Sequence, residues 1–225
     1  MIDISILDIL ALVWFIASWA LYATIADRGE SAGRSMTGVM SAYRLRWMRQ
    51  MTQRENRVVD TTILGNQLNG AAFFASTAIL LVGGLFALLG ATDQAIAVFE
   101  HLPLLAAPSR ALWEIKILLL IGIFVYAFFK FAWAFRLFNT CSVLVGATAI
   151  EPDNEEEAER HALRIARVNT LAAEHFNNGL RAYFFSLAAL GWFLHAGAFF
   201  VASVWVVLVL YRREFRSRSL RAVCD

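Results

Sequence analysis

Residues 174–211, EHFNNGLRAYFFSLAALGWFLHAGAFFVASVWVVLVLY, decide the fold of this chain. The stretch opens with charged and amide side chains, and its larger part, residues 182–211, is a run of about thirty mostly apolar residues. Polar groups therefore stand where the chain enters a bilayer, and such groups are stable close to lipid only when they are paired. The stretch predicts a helical membrane protein with a polar junction at the membrane surface.

The composition of the whole chain supports this interpretation. Of the 225 residues, 59% are hydrophobic, 17% are charged and only 3 are proline, which favours helical membrane spans over a soluble fold. The arginines are concentrated in a few blocks, a pattern that reports membrane topology and does not indicate nucleic-acid binding. The cysteines are far apart and the histidines are scattered, so the sequence predicts no disulfide framework, no metal site and no cofactor.

Four apolar segments have the length and composition expected for a bilayer core of roughly 30 Å. We predict an all-α, polytopic helical membrane protein with a single integral membrane domain over residues 1–225. Its hydrophobic segments are residues 4–26, 61–89, 114–138 and 182–211.

The connecting segments set the predicted orientation. Residues 27–60 and 139–181 are rich in arginine, so the positive-inside rule puts both in the cytoplasm and the N-terminus outside, across the inner membrane of the cell. Apolar residues recur at helical spacing in 36–56, which predicts an amphipathic helix lying on the inner membrane surface. Its arginines either bind anionic lipid or an acidic partner, or only orient the helix. A second cytoplasmic helix is predicted to begin at Asp153 or Asn154, ahead of an acidic run.

Residues 182–211 are too long for one straight crossing, because a helix of that length would measure about 45 Å. A single crossing would also leave the arginine-rich tail outside, against the positive-inside rule. The apolar run is interrupted near His195, so we predict a hairpin of two helices, 182–194 and 198–211, with His195 at its tip and the tail in the cytoplasm. A long, tilted single span is the alternative.

Polar side chains form a stripe along the second apolar segment. Thr62, Asn66, Asn69, Ser76 and Thr77 share one helix face at i, i+3, i+4 spacing. This stripe either lines a pore or cavity, or forms a helix–helix interface at which amides hydrogen-bond to a neighbouring helix.

A cation also lies inside the third apolar segment. Lys130 precedes Arg136 by about 9 Å along a helix, so its ammonium either snorkels to the inner boundary or occupies a cavity, where it faces an anion or pairs with Asp60 or Glu174. These groups together form a predicted polar belt near the cytoplasmic boundary, which is the candidate functional site. The polar belt consists of Asp60, Asn66, Asn69, Lys130, Arg136, Glu174, His175, Asn177, Asn178 and Arg181.

Several short motifs resemble those of the membrane-protein family called domain of unknown function 599. They are Arg54-Glu55-Asn56-Arg57 with Asp60, Ile63-Leu64-Gly65-Asn66, Phe73-Phe74-Ala75-Ser76-Thr77, Phe129-Lys130-Phe131-Ala132-Trp133 with Arg136 and Asn139, Phe176-Asn177-Asn178-Gly179-Leu180-Arg181-Ala182-Tyr183-Phe184, and Leu210-Tyr211-Arg212-Arg213-Glu214-Phe215-Arg216. The resemblance covers nearly the whole chain. It implies a helical integral membrane protein and supplies no catalytic residues.

Three functions are compatible with the polar belt. The first is a homo-oligomeric channel or transporter-like protein for a small solute such as an anion, in which Lys130, Arg136 and Arg181 attract the solute. The second is an accessory or assembly subunit of a larger membrane complex, in which the belt is an internal network and residues 36–56 form a docking surface. The third, ranked last, is an enzyme acting on lipid, because the sequence has no nucleophile motif and no Gly-rich phosphate loop. It would use Glu174 or His175 as a base.

Overall fold

A computed structural model describes residues 5–28, 33, 35–100, 109–149 and 154–224. Regular structure in these residues is α-helical, without strands. The helices in chain order are α1 (Ile6–Arg28), α2 (Met36–Thr52), α3 (Val58–Gly90), α4 (Thr92–Glu100), α5 (Arg110–Gly146), α6 (Glu155–Leu194), α7 (Ala196–Phe215) and α8 (Arg218–Cys224). Four segments are long and apolar enough to cross a membrane: Ile6–Ala26, Val58–Gly90, Arg110–Gly146 and Ala196–Cys224. The all-α, multi-pass prediction is therefore confirmed.

The last apolar stretch folds as the predicted hairpin. His195 interrupts the helix with an extended backbone (φ −167°, ψ 163°), and α7 starts at the next residue. The imidazole Nδ1 of His195 accepts a hydrogen bond from the Ala198 N–H at 2.9 Å, so this side chain caps α7. The role of His195 is that of a turn residue, as predicted.

The two arms of the hairpin run antiparallel. Near the turn, a Cβ built on Gly191 would lie 3.1 Å from the Ala198 carbonyl oxygen, which is closer than most such contacts, so glycine favours this approach of α6 and α7. Further from the turn, the Arg213 guanidinium lies 5.8 Å from the centre of the Phe184 ring. The chain therefore returns to the end of the bundle that carries α2 and α8, here called the basic end, and the alternative of one long tilted span is wrong.

The predicted half-helices underestimate the lengths of both arms. The first arm is the final part of α6, a helix of 40 residues that measures about 60 Å, and the second arm is the 20-residue α7. The second predicted amphipathic helix and the first arm of the hairpin are therefore one continuous helix. Its N-cap is Asn154, whose amide oxygen accepts the Glu157 N–H at 2.7 Å. Asp153, the other predicted cap, lies outside the described residues.

An apolar girdle surrounds the bundle. Its exposed side chains include Ile6, Leu10, Leu21, Leu80, Phe86, Leu118, Phe129, Leu187, Leu190, Val201, Trp205 and Leu208, and Ile6, Leu80 and Trp205 are 76%, 74% and 67% exposed. Exposure of this many large apolar residues on all sides indicates a lipid-facing surface. At the basic end, α2 and residues 58–70, 134–146 and 155–176 of α3, α5 and α6 pack together, and we call this part the extension. Residues 58–70 and 134–146 also belong to the candidate spans Val58–Gly90 and Arg110–Gly146.

Helix α2 does not lie flat on a membrane surface. Asn177 donates to the Thr37 hydroxyl at 3.2 Å near the start of α2, and Arg49 donates to Glu159 near its end, so α2 runs antiparallel along the first half of α6. The Arg49 guanidinium lowers the pKa of the Glu159 carboxyl through these hydrogen bonds. The apolar face of α2 is covered because Met48 and Met51 are fully buried in the extension. The predicted surface orientation of residues 36–56 is therefore wrong.

Two main buried clusters correspond to the two parts of the molecule. Between the membrane-crossing helices, the core is aromatic, and its fully buried rings include Phe15, Phe131, Phe185 and Phe199. In the extension, Met48, Leu64, Val145 and Ile165 join α2, α3, α5 and α6. The extension thus has its own apolar core, separate from the aromatic core between the membrane-crossing helices.

The hairpin predicts on which side of the membrane each cysteine can be labelled. Cys141 is buried and Cys224 is exposed, so an impermeant maleimide should modify Cys224 alone. Native Cys224 should react from one side of the membrane. Two further probes are placed singly in a Cys224→Ser background: Gln50→Cys on α2 should react from the same side as Cys224, and Gln94→Cys on α4 should react only from the other side. Labelling of Cys224 from the same side as Gln94→Cys would contradict the hairpin.

Candidate functional site

Residues 177–183 of α6, Asn-Asn-Gly-Leu-Arg-Ala-Tyr, contact several neighbouring helices, and we call this stretch the α6 junction. Asn177 binds the Thr37 hydroxyl of α2, and the Tyr183 hydroxyl donates to the Phe74 carbonyl of α3 at 2.9 Å. Asn177 and Tyr183 are thus directed at two different neighbouring helices. The junction therefore fixes where α2 and α3 meet α6.

Arg181 of the α6 junction is directed at α1. Its guanidinium lies 5.5 Å from the centre of the Tyr22 ring and donates to the Asn178 amide oxygen at 3.0 Å. The residue is only 7% exposed. A buried guanidinium is stable here because a hydrogen bond and an aromatic face replace its water. Arg181 thus contacts α1 through the Tyr22 ring, Asn178 orients its guanidinium, and Arg181 is not open to a solute.

Gly179 of the α6 junction allows α5 to approach α6. A Cβ at this position would lie 2.6 Å from atoms of the Phe131 ring. Phe131 is fully buried, and its ring packs against Phe74, Phe176 and Tyr183 at centroid separations of 5.3 to 5.4 Å. Because these rings hold Phe131 in place, it cannot move aside for a methyl group.

Asp60 lies in the extension and is fully buried. Its Oδ1 accepts hydrogen bonds from the Trp47 indole and from the Arg54 guanidinium, both at 2.7 Å. Arg54 is 40% exposed, so the pair is buried on one side only. The predicted pairing of Lys130 with Asp60 is therefore wrong, because Asp60 already has a cation from its own connecting loop.

The same loop is tied to the end of α5. Arg57 donates to the carbonyl oxygens of Thr148 and Ala149 at 2.6 and 2.9 Å, in the segment that follows the end of α5 at Gly146. The Asn56 side chain accepts the Val58 N–H at the start of α3. The motif Arg54-Glu55-Asn56-Arg57 with Asp60 therefore joins α2, α3 and α5 structurally.

Lys130 and Arg136 point away from the bundle axis, each with an aromatic neighbour. Lys130 Nζ lies 5.3 Å from the centre of the Tyr126 ring, and the Arg136 guanidinium lies 5.3 Å from that of Trp133. The His175 ring is 6.4 Å from Trp133, so it approaches the same surface. Glu174 is exposed, and its charge acts on Arg44 of α2. Cation–aromatic pairs of this kind suit a membrane boundary, where one end of each side chain is wet.

The amides of α3 lie on its outer face. Asn66 and Asn69 are exposed, whereas Leu64, Ala71 and Ala78 are buried on the opposite face of the helix against α5. In the described residues, the stripe does not line a path through a single chain, because its amides are on the outside of the bundle. Whether the stripe lines a path between chains stays a prediction.

Sequence reasoning missed two buried polar contacts. At the end of the bundle opposite the basic end, Trp192 donates to Asp8 Oδ1 at 2.7 Å, and Lys116 Nζ lies 5.5 Å from the Trp192 ring centre. In the extension, Asn169 donates to the Gln67 amide oxygen at 2.9 Å. Asp8 was visible as a charge inside an apolar segment, which by itself indicates a buried partner.

The structure therefore divides the polar belt into separate places. Asp60 is in the core of the extension, Asn66 and Asn69 are on the outside of α3, and the other members are on α5 and α6 near the edge of the girdle. Among the described residues no group of three or more His, Cys, Asp or Glu side chains could hold a metal ion. The arrangement is suited to joining helices.

The fold and the girdle define a multi-pass helical membrane protein with an extension at one end of the bundle. Residues 10–219 match the family model described as "Protein of unknown function, DUF599", and the chain belongs to this family. No curated protein and no solved structure matches the chain. The resemblance inferred from the motifs is thereby confirmed.

Replacing Gly179 by alanine should destabilise the protein by about 1–3 kcal/mol, because the new methyl group overlaps the immobile Phe131 ring. Gly65→Ala is the matched control, since no atom lies within 4 Å of a Cβ there and alanine favours a helix. Thermal unfolding in detergent would compare the two variants. Equal melting temperatures would show that α5 and α6 do not meet as closely as described.

Asp60→Asn should loosen the loop between α2 and α3 and lower the free energy of unfolding by about 1–3 kcal/mol. The reason is that it removes the buried carboxylate that accepts hydrogen bonds from Trp47 and Arg54. Asp93→Asn removes an exposed carboxylate from the Arg110 ion pair and should leave stability nearly unchanged. Hydrogen exchange of residues 47–60 reports the effect. Unchanged exchange in Asp60→Asn would contradict the assigned role.

Proposed function

We propose that this protein is an accessory or assembly subunit of a larger membrane complex, and that the outer face of α3 in the extension is its docking surface. The observation that carries the proposal is the composition of this face. Residues 61–92 contain no Asp, Glu, Lys, Arg or His, and part of this run is exposed on the outer face of α3 in the extension.

The face combines apolar and amide groups. Val58 and Val59 are 65% and 64% exposed, and Ile63, Asn66 and Asn69 continue the same surface over about 17 Å of helix. A helix face that meets only water usually carries charges. Depletion of charge together with exposed aliphatic side chains is typical of the centre of a protein–protein interface. Amides at such a face supply hydrogen bonds and fix the register of the partner.

The internal role of the polar belt also supports a docking subunit. Asp60, Asn177, Asn178 and Arg181 have hydrogen-bond partners within the chain, as an internal network requires. The basic end is proposed to face the cytoplasm of a cell whose inner membrane holds the girdle, because the arginine-rich segments are at that end. The extension would then meet its partner at the cytoplasmic surface.

A homo-oligomeric channel or transporter-like protein is the second candidate. It is supported by the continuation of the α3 stripe into the girdle, where Ser76 is exposed on the same face as Asn69. If several copies packed around this face, their stripes would line a shared polar path for a small anionic solute. Lys130 and Arg136 would lie near the basic mouth of such a path.

Native mass spectrometry of the protein, released gently from its own membrane, tests both candidates. Asn66→Arg places a charge at the centre of the proposed docking surface, and Gln50→Arg places the same charge on an exposed amide position of α2. We expect a stoichiometric foreign subunit in the wild type and in Gln50→Arg, and its loss in Asn66→Arg.

The other outcomes separate the candidates. A homo-oligomer that dissociates only in Asn66→Arg would overturn the accessory role in favour of the transport candidate. A foreign subunit retained by Asn66→Arg would show that α3 is not the docking surface. A monomer without partners in the wild type would overturn both proposals.

A further inference from the structure

Five arginines follow one another closely at the end of α7 and in α8. Arg212, Arg213, Arg216, Arg218 and Arg221 are all exposed. In the described part of the chain, no carboxylate lies within 4.0 Å of any of these guanidiniums. Glu214, the acid between Arg213 and Arg216 in sequence, is turned toward α2, where its Oε1 accepts the Thr37 N–H at 3.1 Å. Among the described residues, the cluster therefore has an excess positive charge without a carboxylate partner.

The chain turns at this cluster, between α7 and α8, and an open hollow lies beside the turn. The end of α7 and the start of α8 are joined at Arg216 and Ser217, and the Ser217 hydroxyl accepts the Leu220 N–H at 3.0 Å. Tyr43 of α2 holds the far end of α8 by donating to the Val223 carbonyl at 3.0 Å. The bend, here called the α7–α8 elbow, is thus fixed at both ends. Its hollow has a volume of about 800 Å³.

The lining of the elbow combines apolar and cationic side chains. Leu208 and Tyr211 form its apolar wall on the girdle side, and Leu208 also belongs to the girdle. The arginines begin one residue after Tyr211, and Phe215 and Leu220 stand among them. A phospholipid offers matching groups, with an acyl chain for the apolar wall and a phosphate for the arginines. Leu208 and Tyr211 are 57% and 41% exposed, so a chain can reach them from the bilayer. The arginines of the elbow are Arg212, Arg216 and Arg221.

We infer that the α7–α8 elbow binds an anionic phospholipid, with its phosphate on Arg212, Arg216 and Arg221 and an acyl chain along Leu208 and Tyr211. Guanidiniums donate several hydrogen bonds to phosphate oxygens in a fixed geometry, which lysine cannot do. A free phosphate would leave the apolar wall without a partner. The observations therefore favour a lipid over a soluble anion.

The proposed lipid contact lies at the elbow and not at residues 36–56, for which the sequence also allowed binding of anionic lipid. Within α2 and the loop that follows it, Arg49 binds Glu159, Arg54 binds Asp60, and Arg57 binds carbonyls at the end of α5. Arg44 is largely buried, and its burial lowers the pKa of the guanidinium despite the opposing effect of Glu174. Most arginines of this segment are therefore engaged within the fold, whereas those of the elbow are exposed.

Lipid binding to the purified full-length chain tests the inference. The triple variant Arg212→Gln, Arg216→Gln, Arg221→Gln removes the proposed phosphate ligands. The matched control, Arg160→Gln, Arg164→Gln, Arg167→Gln, removes the same charge from exposed positions of α6 in the extension. Native mass spectrometry would count phosphatidylglycerol and phosphatidylcholine bound to each protein. Labelling of Cys224 would confirm that every variant keeps its orientation.

In the wild type and in the control, phosphatidylglycerol should bind about tenfold or more tightly than phosphatidylcholine, and the elbow variant should lose this preference. Competition by inorganic phosphate or by glycerophosphoglycerol, which has the headgroup without chains, should be weak. Equal binding of phosphatidylglycerol by the wild type and the elbow variant would overturn the inference. Equally strong competition by inorganic phosphate would replace the lipid by a soluble anion and would also overturn it.

Discussion

The α6 junction is the constraint on which the rest of the structure depends. Within two turns of one helix, Asn177 reaches α2, Gly179 admits Phe131 of α5, Arg181 reaches α1 and Tyr183 reaches α3. In a bilayer the hydrophobic effect does not press helices together, so close packing and hydrogen bonds must select their arrangement. A short segment that supplies both to four neighbours fixes the whole bundle.

This constraint also explains why polar residues gather near the edge of the girdle. Arg181 and Asn178 are paired where the helices leave lipid, and Lys130 and Arg136 lie over aromatic rings at a similar depth. Each group is stabilised where its desolvation would otherwise be costly. The buried or bonded members of the polar belt, Asp60, Asn177 and Arg181, thus join elements of the fold, whereas Asn66, Asn69 and Arg136 are exposed.

Much of the fold could be predicted from the sequence because its signals are local. The length of each apolar run, the interruption at His195 and the N-cap at Asn154 depend on neighbouring residues, and the structure contains all of them. The position of α2 was not predictable in the same way. An amphipathic pattern shows that one helix face must be covered but not whether lipid or protein covers it. In the folded chain, protein covers the apolar face of α2, because the first half of α6 packs against it in the extension.

The sequence by itself determined that this is an all-α, multi-pass membrane protein with a helical hairpin near its C-terminus, because the bilayer imposes length, apolarity and internal hydrogen bonding on any segment that crosses it. Only the tertiary structure decided which polar groups meet. Asp60 could pair with any nearby cation on sequence grounds, and the folded chain gave it Arg54 and the Trp47 indole. Partner choice depends on distances of a few ångströms between helices far apart in sequence, as for Trp192 and Asp8. Residue spacing along the chain does not contain those distances.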